Sequence, residues 1–516
     1  MTEIVSPFAQ FFGTNGAPLN NGNIYIGTAY LDAQTNAIPV YWDDALTIPA
    51  LQPIRTLNGY AVRSGAPARI FCNAANFSMT VQTSTGRTVW AVQDATSVNI
   101  PSISGPDGSS QVGFIQAGAG AEARTAQAKM RDIVSVKDYG AVGDNVTNDF
   151  LAVQNAVYAA GVLGKTLIWP AGNYKITGSI TLPQNTLLTM KGEGYRNTFI
   201  RFSGGAGFAG FNYAREGAAA SGFVFEDLAF VWDGTARLAG SSAIKSYGAS
   251  DAYSDNYLRC YRCAFYFFES AIETKWSGQC YFSDCFFQVN TRSFKMLRGS
   301  SFFYMRGIMS FDATFIFAQD TTYDAFSNGL LLDMCHSITA IDMSMYVEGW
   351  QAVYVDKCGF DLGSGGPAAV KIFKCTDGAF TDCYVSSNNS ITRAGILFDT
   401  SHTFVVRGGT IVNNSVGLYV IGQNGVATKI VVDGVKFDGN DTNDVLGLSY
   451  ATGCKLVNNH HVKQMSRTGA SFEIYLNTTG TDYNIVQFNT LKGTTYAIVG
   501  GANSVIGNNI FGCPAG

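Results

Sequence analysis

Glu269, Asp312 and Glu348 are the residues of this sequence whose spacing best suits paired-carboxylate chemistry. Hydrolysis of a glycosidic bond by the common route needs two carboxyl groups, roughly 5–5.5 Å apart for retention of configuration and roughly 6.5–9.5 Å apart for inversion. A chain that winds in stacked coils supplies such spacings, because adjacent coils lie about 4.8 Å apart. We take Cys263, Cys285, Gly307 and Met343 to open the second strand of successive coils. Glu269 then falls at offset six, and Asn290, Asp312 and Glu348 fall at offset five. Later coils place Asn388 and Asn413 at that offset. On this alignment Asp312 and Glu348 approach the retaining spacing, and Glu269 and Asp312, two coils apart, fit inversion. Close carboxylates raise one pKa, as a general acid requires.

The coil of Asp312 also carries an insertion with Asp320, Tyr323 and Asp324. Insertions on a solenoid face commonly shape a groove. Tyr323 and Trp350 are expected to stack on sugar rings. The catalytic candidates are thus Asp312, Glu348, Glu269, Asp320 and Asp324. Two other readings stay open. Acidic residues at coil corners often bond their own backbone. Lys275, Arg292 and Lys295, beside the acidic column, are groups a lyase acting on a uronate would want.

The elements that must position these residues are short strands. From about residue 165 onward, apolar runs such as FVFEDLAFVW, CYFSDCFFQV and TFVVRGGTIV recur every ~20–35 residues between Gly, Asn, Ser and Asp. Each is too short to form a sheet alone, but stacked coils make continuous parallel sheets around one core. Asn458-Asn459 and Asn508-Asn509 fit the bends, where amides stack as ladders. Charged residues are only 14% of the 516, against 57 glycines and 13% aromatics, a profile of strands and turns rather than helices. The predicted class is all-β.

A net charge of −4 without a Lys/Arg cluster argues against nucleic acid as a partner. No apolar run is long enough to insert in a membrane. MTEIVSPFAQFF lacks the basic and apolar regions of a signal peptide, so the eleven cysteines are expected as reduced thiols. Cys260 and Cys263 form a C-x-x-C with no second pair to complete a zinc site. Buried thiols inside the solenoid are expected instead, with no metal and no cofactor. His336, His402, His460 and His461 are expected at the surface or stacked in the core.

The chain divides into three segments. Residues 1–108 alternate in short strands with an Asn21-Gly22 turn, giving a small antiparallel β domain. Residues 109–133 are Gly- and Ala-rich, with a helix expected over Ala121–Asp132, a neck. Residues 134–516 form the solenoid. Within them VSVKDYGAVGDNVTNDF precedes a helix over Asp149–Ala160 that caps the first coil and hides its edge. Asp144 and Asp149 are expected as turn and N-cap residues.

Two stretches resemble known families. Gly22 to Trp90, with NGNIYIG, AIPVYWDDALTIPALQPIRT, GYAVRSGAPA and FSMTVQTSTGRTVW, is similar to the particle-binding domain of short-tailed-phage tailspikes. Asp138-Tyr139-Gly140-Ala141, Gly143-Asp144 and Pro170-Ala171-Gly172-Asn173-Tyr174 resemble the opening of pectate-lyase-like β-helices. The resemblance implies a right-handed parallel β-helix in a homotrimer, docked to phage tail or connector proteins through the N-terminal domain. It implies a virion tail protein assembled in the host cytoplasm and acting at the bacterial cell surface. The expected activity is to bind and depolymerise a capsule or O-antigen polysaccharide, by hydrolysis before lysis of a uronate. The rival is a non-catalytic spike, or an adaptor carrying another spike.

Overall fold

The structure is a computed structural model. It describes residues 8–96, 105–215, 221–234, 237–248, 256–322, 327–362, 365–387, 393–422, 429–448, 451–462, 472–476, 484–492, 498–499 and 504–511. The chain divides into two compact units, Met1–Met130 and Arg131–Gly516.

The first unit is antiparallel β. Its six-stranded sheet runs in the order 66–67, 60–63, 54–57, 23–28, 76–82, 88–96, and a three-stranded sheet joins 49–50, 40–41 and 71–72. Ile24, Ile26, Val40, Ile54 and Val81 fill its core. The neck differs from expectation. Only Ala126–Met130 is helical, while Ala123–Thr125 pairs antiparallel with Gly113–Ile115. Gly118 and Gly120, at φ 128° and 81°, lie between the paired strands. A hairpin satisfies backbone groups that a very short helix leaves open, so pairing wins over the helix propensity of the Ala-rich stretch.

The second unit is a parallel solenoid of three sheets, with fifteen, fifteen and thirteen strands. Each coil supplies a strand to sheet 1, then sheet 2, then sheet 3. One coil, for example, contributes Asn256–Tyr261, Ala264–Tyr266 and Ser270–Lys275. The helix Phe150–Leu163 covers the first coils, burying Val153, Ala156, Val157 and Ala160, and ends at Gly164 with φ 62°. Asp149 holds the N-cap position, but its carboxylate accepts from the Val142 and Gly143 amides at 2.7 and 3.0 Å instead of capping the helix. Asp144 binds its own turn, accepting from the Val146 and Thr147 amides.

Two-residue turns join sheet 1 to sheet 2 and set the coil. Their first residue is left-handed: Arg262, Asp284, Met334, Lys357 and Asp382 have φ between 50° and 54°. Their second residue turns inward. Cys263, Cys285, Cys335, Cys358 and Cys383 form a column of buried thiols. Each thiol reaches a backbone carbonyl, as Cys285 does to Cys260 at 3.5 Å. Farther along, asparagines take the same position. Asn459 accepts from the Val435 amide at 2.9 Å and donates to the side chain of Asn489, which in turn donates to Asn509. Every described cysteine except Cys72 is buried. Among the described residues no three metal-binding side chains gather.

Candidate functional site

The outer face of sheet 3 carries charged and aromatic side chains in register. Register places Lys245, Glu273, Lys295, Phe317, Tyr346 and Lys371 in one outward column, one coil apart. A parallel column at the strand ends runs Gln319, Glu348, Phe373, Asp399. In parallel strands such columns are fixed by the ladder, so neighbours stand about 4.8 Å apart.

The side chains form a connected network. Glu273 accepts from the Tyr247 hydroxyl and pairs with Lys295 at 3.2 Å. Burial first, then that hydrogen bond to a carboxylate, pushes the Tyr247 phenol well above its ordinary pKa, so it stays a donor. Arg292 pairs with Glu269 and lies 4.6 Å over the Phe317 ring. Phe317 stacks on Tyr346 with centroids 5.4 Å apart. The Tyr346 hydroxyl and the Gln319 amide both donate to Glu348 Oε2, at 2.7 and 2.8 Å. Lys371 lies 5.8 Å over the Tyr346 ring and 3.7 Å from Asp399.

Residues 133–323 match the family of rhamnogalacturonase A/epimerase, pectate lyase-like domains. The chain is 31% identical over 181 residues to the tail spike protein of Shigella phage Sf6, covering 30% of this chain and 29% of that one. It is 42% identical over 74 residues to the pre-neck appendage protein of Bacillus phage phi29, covering 14% and 8%. The solved tailspike protein 3 of bacteriophage CBA120 superposes with a TM-score of 0.51 at 15% identity, covering 81% of this chain and 69% of that one. The chain carries a parallel β-helix, the fold of that solved structure, which over residues 133–323 matches the pectate lyase-like family. It spans less than a third of the length of the curated relatives it matches.

This β-helix separates the carboxylates that the coil alignment brought together. Asp312 is 1% exposed and takes a ladder position in the turn before sheet 3. The Asn290 backbone amide donates to its Oδ1 at 2.8 Å and the Ser293 hydroxyl to its Oδ2 at 2.6 Å. Burial pushes its pKa up to about 6, against the lowering effect of those hydrogen bonds. It faces the core, where no polysaccharide reaches. Glu348 pairs in register with Gln319, at the far end of the strand Thr314–Gln319. Asp312 and Glu348 are therefore separated along the sheet by more than the strand's own length of about 17 Å, outside both carboxylate spacings. Glu269 turns to Arg292 while Asp312 turns inward, so these two do not share a site either.

Asp320 is also buried. It accepts from the Thr322 amide at 3.0 Å and the Ser327 hydroxyl at 2.9 Å, which makes it a turn residue. Trp350 is wholly buried, packing edge-on to Phe303 in the core, so it cannot stack on a sugar from this position. Tyr323 and Asp324 lie outside the described residues. Of the candidates, Glu348, 5% exposed, stands on the sheet 3 strand Met345–Glu348, and Glu269 in the bend before the strand Ser270–Lys275.

The sequence reading missed Glu273, Tyr346 and Asp399. Their signal was charge and aromatic residues at the outward positions of successive sheet 3 strands: Lys245, Glu273, Lys295 and Lys371. That signal becomes readable only once the coil phase is known. His461 is stacked in the core against Phe437, with centroids 5.0 Å apart, and its Nδ1 lies 2.9 Å from buried Asp444.

Proposed function

We propose that the chain is a bacteriophage tail spike that binds a bacterial surface polysaccharide and hydrolyses it on the outer face of sheet 3. The N-terminal β unit attaches it to the virion tail, three copies assemble in the host cytoplasm, and the spike acts at the cell surface. The observation that carries the reading is the end column of sheet 3, where Glu348 and Asp399 stand two coils apart. Two coils span about 9.6 Å, at the wide end of the inverting spacing. Glu348 takes the acid role and protonates the leaving oxygen. Asp399, beside Lys371, takes the base role and activates water. Phe317, Tyr346 and Phe373 supply apolar surface for sugar rings.

Glu348→Gln and Asp399→Asn keep shape while removing charge. Each lowers turnover by orders of magnitude and leaves binding largely intact, because non-reacting sugars make most contacts. Hydrolysis releases reducing ends without new ultraviolet absorbance, whereas a lyase forms an absorbing unsaturated uronate. Full turnover in both variants refutes the assignment. Light scattering that shows a monomer near 55.3 kDa refutes the trimer.

A second reading, a spike that holds polysaccharide without cutting it or carries another spike, is favoured by one observation. Glu269, Glu273, Glu348 and Asp399 are each already engaged by a protein side chain. Failure to cleave a polysaccharide that the wild type binds decides for it.

A further inference from the structure

A groove of about 540 Å³ opens on the outer face of sheet 1, lined by Arg259, Tyr261, Gln279, Tyr281, Phe302 and Tyr304. Register sets Arg259, Tyr281 and Tyr304 in one outward column, one coil apart. Tyr281 stacks on Tyr304 at 4.8 Å and lies 5.6 Å from Tyr261. Rings stacked on one another along the coil axis present edges and hydroxyls to the groove, not faces. The result is a row of phenol donors about 4.8 Å apart. Burial raises the pKa of Tyr261 and of Tyr304, which keeps these groups protonated as donors.

Phe302 adds an apolar element. It is 60% exposed and sits at φ 53°. Left-handed backbone recurs at this strand position, at Gln279, Ala352, Asp377 and Thr403, so a repeated bulge imposes it. A bulky side chain is disfavoured there. The groove's charge is also unbalanced. Arg259 is exposed and forms no ion pair among the described residues. Of the acids on neighbouring coils, Glu226 pairs with Lys191 at 3.3 Å, Asp227 with Arg262 at 2.7 Å and Asp333 with Arg306 at 3.4 Å, while Asp284 accepts from the Ser283 hydroxyl.

We propose that this groove binds an acidic sugar unit of a polysaccharide. The Arg259 guanidinium takes the sugar carboxylate as a two-pronged pair, which fits its planar fork. The tyrosine hydroxyls meet the ring hydroxyls, and Phe302 covers the apolar face of the sugar. The groove lies on sheet 1 and the proposed cleavage face on sheet 3, so the groove holds chain that is not being cut. Several copies on one spike multiply a weak hold.

The test titrates the full chain calorimetrically with trigalacturonate and with its methyl-esterified counterpart. The acid form binds, and the ester binds about tenfold more weakly, the scale of one charge-assisted hydrogen bond. Arg259→Gln loses about the same factor for the acid and nothing for the ester. Tyr281→Phe with Tyr304→Phe weakens both. Equal affinity for acid and ester, or no binding to either, overturns the proposal. Undiminished affinity for the acid in Arg259→Gln places the ligand elsewhere on the chain and also overturns it, without touching the reading of sheet 3. A change of oligomeric state in Arg259→Gln, seen by light scattering, shows a surface between copies of the chain and overturns it as well.

Discussion

Asp312→Asn should stabilise the protein at neutral pH and leave polysaccharide cleavage intact. The wild-type carboxyl is 1% exposed, and its pKa rises from 3.8 to about 6, chiefly through burial. The folded state thus holds this proton more tightly than the unfolded chain. Stability is highest below about pH 4, falls as pH rises from about 4 to about 6, and stays low above that. The gap between the two pKa values corresponds to about 3 kcal/mol at pH 7.5. Asparagine keeps the acceptor that the Asn290 amide uses and removes the charge. Ser293 and the Asn290 side-chain amide, which donates to Oδ2 at 3.0 Å, then face an amide nitrogen instead of an acceptor oxygen; the hydroxyl must turn to accept, while the Asn290 amide keeps Oδ1 at 3.2 Å and the Phe265 carbonyl at 3.1 Å, at a joint cost of about 1 kcal/mol. A net gain of about 2 kcal/mol remains. For a unit of about 390 residues melting as one, that raises Tm by roughly 2–3 °C at pH 7.5 and by almost nothing at pH 4. Thermal melts of wild type and variant at the two pH values check it. A variant that melts lower at pH 7.5, or a difference independent of pH, refutes the electrostatic argument. Loss of cleavage with an unchanged Tm would return Asp312 to catalysis.

Three further outcomes follow from the core and the ladders. Trp350→Ala removes a wholly buried ring and should cost about 3–5 kcal/mol, measured by denaturant unfolding. Trp350→Phe should keep polysaccharide affinity, which a sugar platform would lose. Asn459→Ala orphans the Val435 amide and breaks the link to Asn489, costing about 1–3 kcal/mol, visible as a lower unfolding midpoint. Alkylation mapped by mass spectrometry should modify Cys72 in the native protein while sparing Cys260, Cys263, Cys280, Cys285 and Cys375 until unfolding. Those five are buried, and burial raises the pKa of Cys260, Cys263, Cys280 and Cys375 foremost.

The solenoid was legible because its cause is local. Short apolar runs cannot bury themselves except by stacking, and Asn459 and Asn509 stand at bends where only an inward amide pairs with the next coil. The phase of the coil was not legible. Cys335 continues the series of Cys263 and Cys285, but the alignment took Met343, which precedes the sheet 3 strand Met345–Glu348. It also took Gly307, where Ile308 is the inward residue of the turn. The error arises where sheet 2 meets sheet 3. There Asp312-Ala313 spans the bend in one coil and residues 341–344 in the next. A fixed offset cannot survive a change of turn length, so it set inward Asp312 beside outward Glu348. Trp350 failed for a related reason, since at the bend after Gly349 no alternation says which side faces in.

That failure bears on the proposed site. The turns from sheet 2 to sheet 3 vary in length from coil to coil, so a carboxylate on one of them has no dependable neighbour on the next. Strand residues are held in ladder register, and a carboxylate there meets the same position of the adjacent coil at about 4.8 Å and of the next at about 9.6 Å. Paired-acid chemistry needs a spacing that holds to within about an ångström, which rigid elements supply better than loops. On sheet 3 the end column offers Glu348 and Asp399 at such a spacing. The middle column surrounds them with Tyr346 and Lys371, which orient the carboxylates without occupying the same rung.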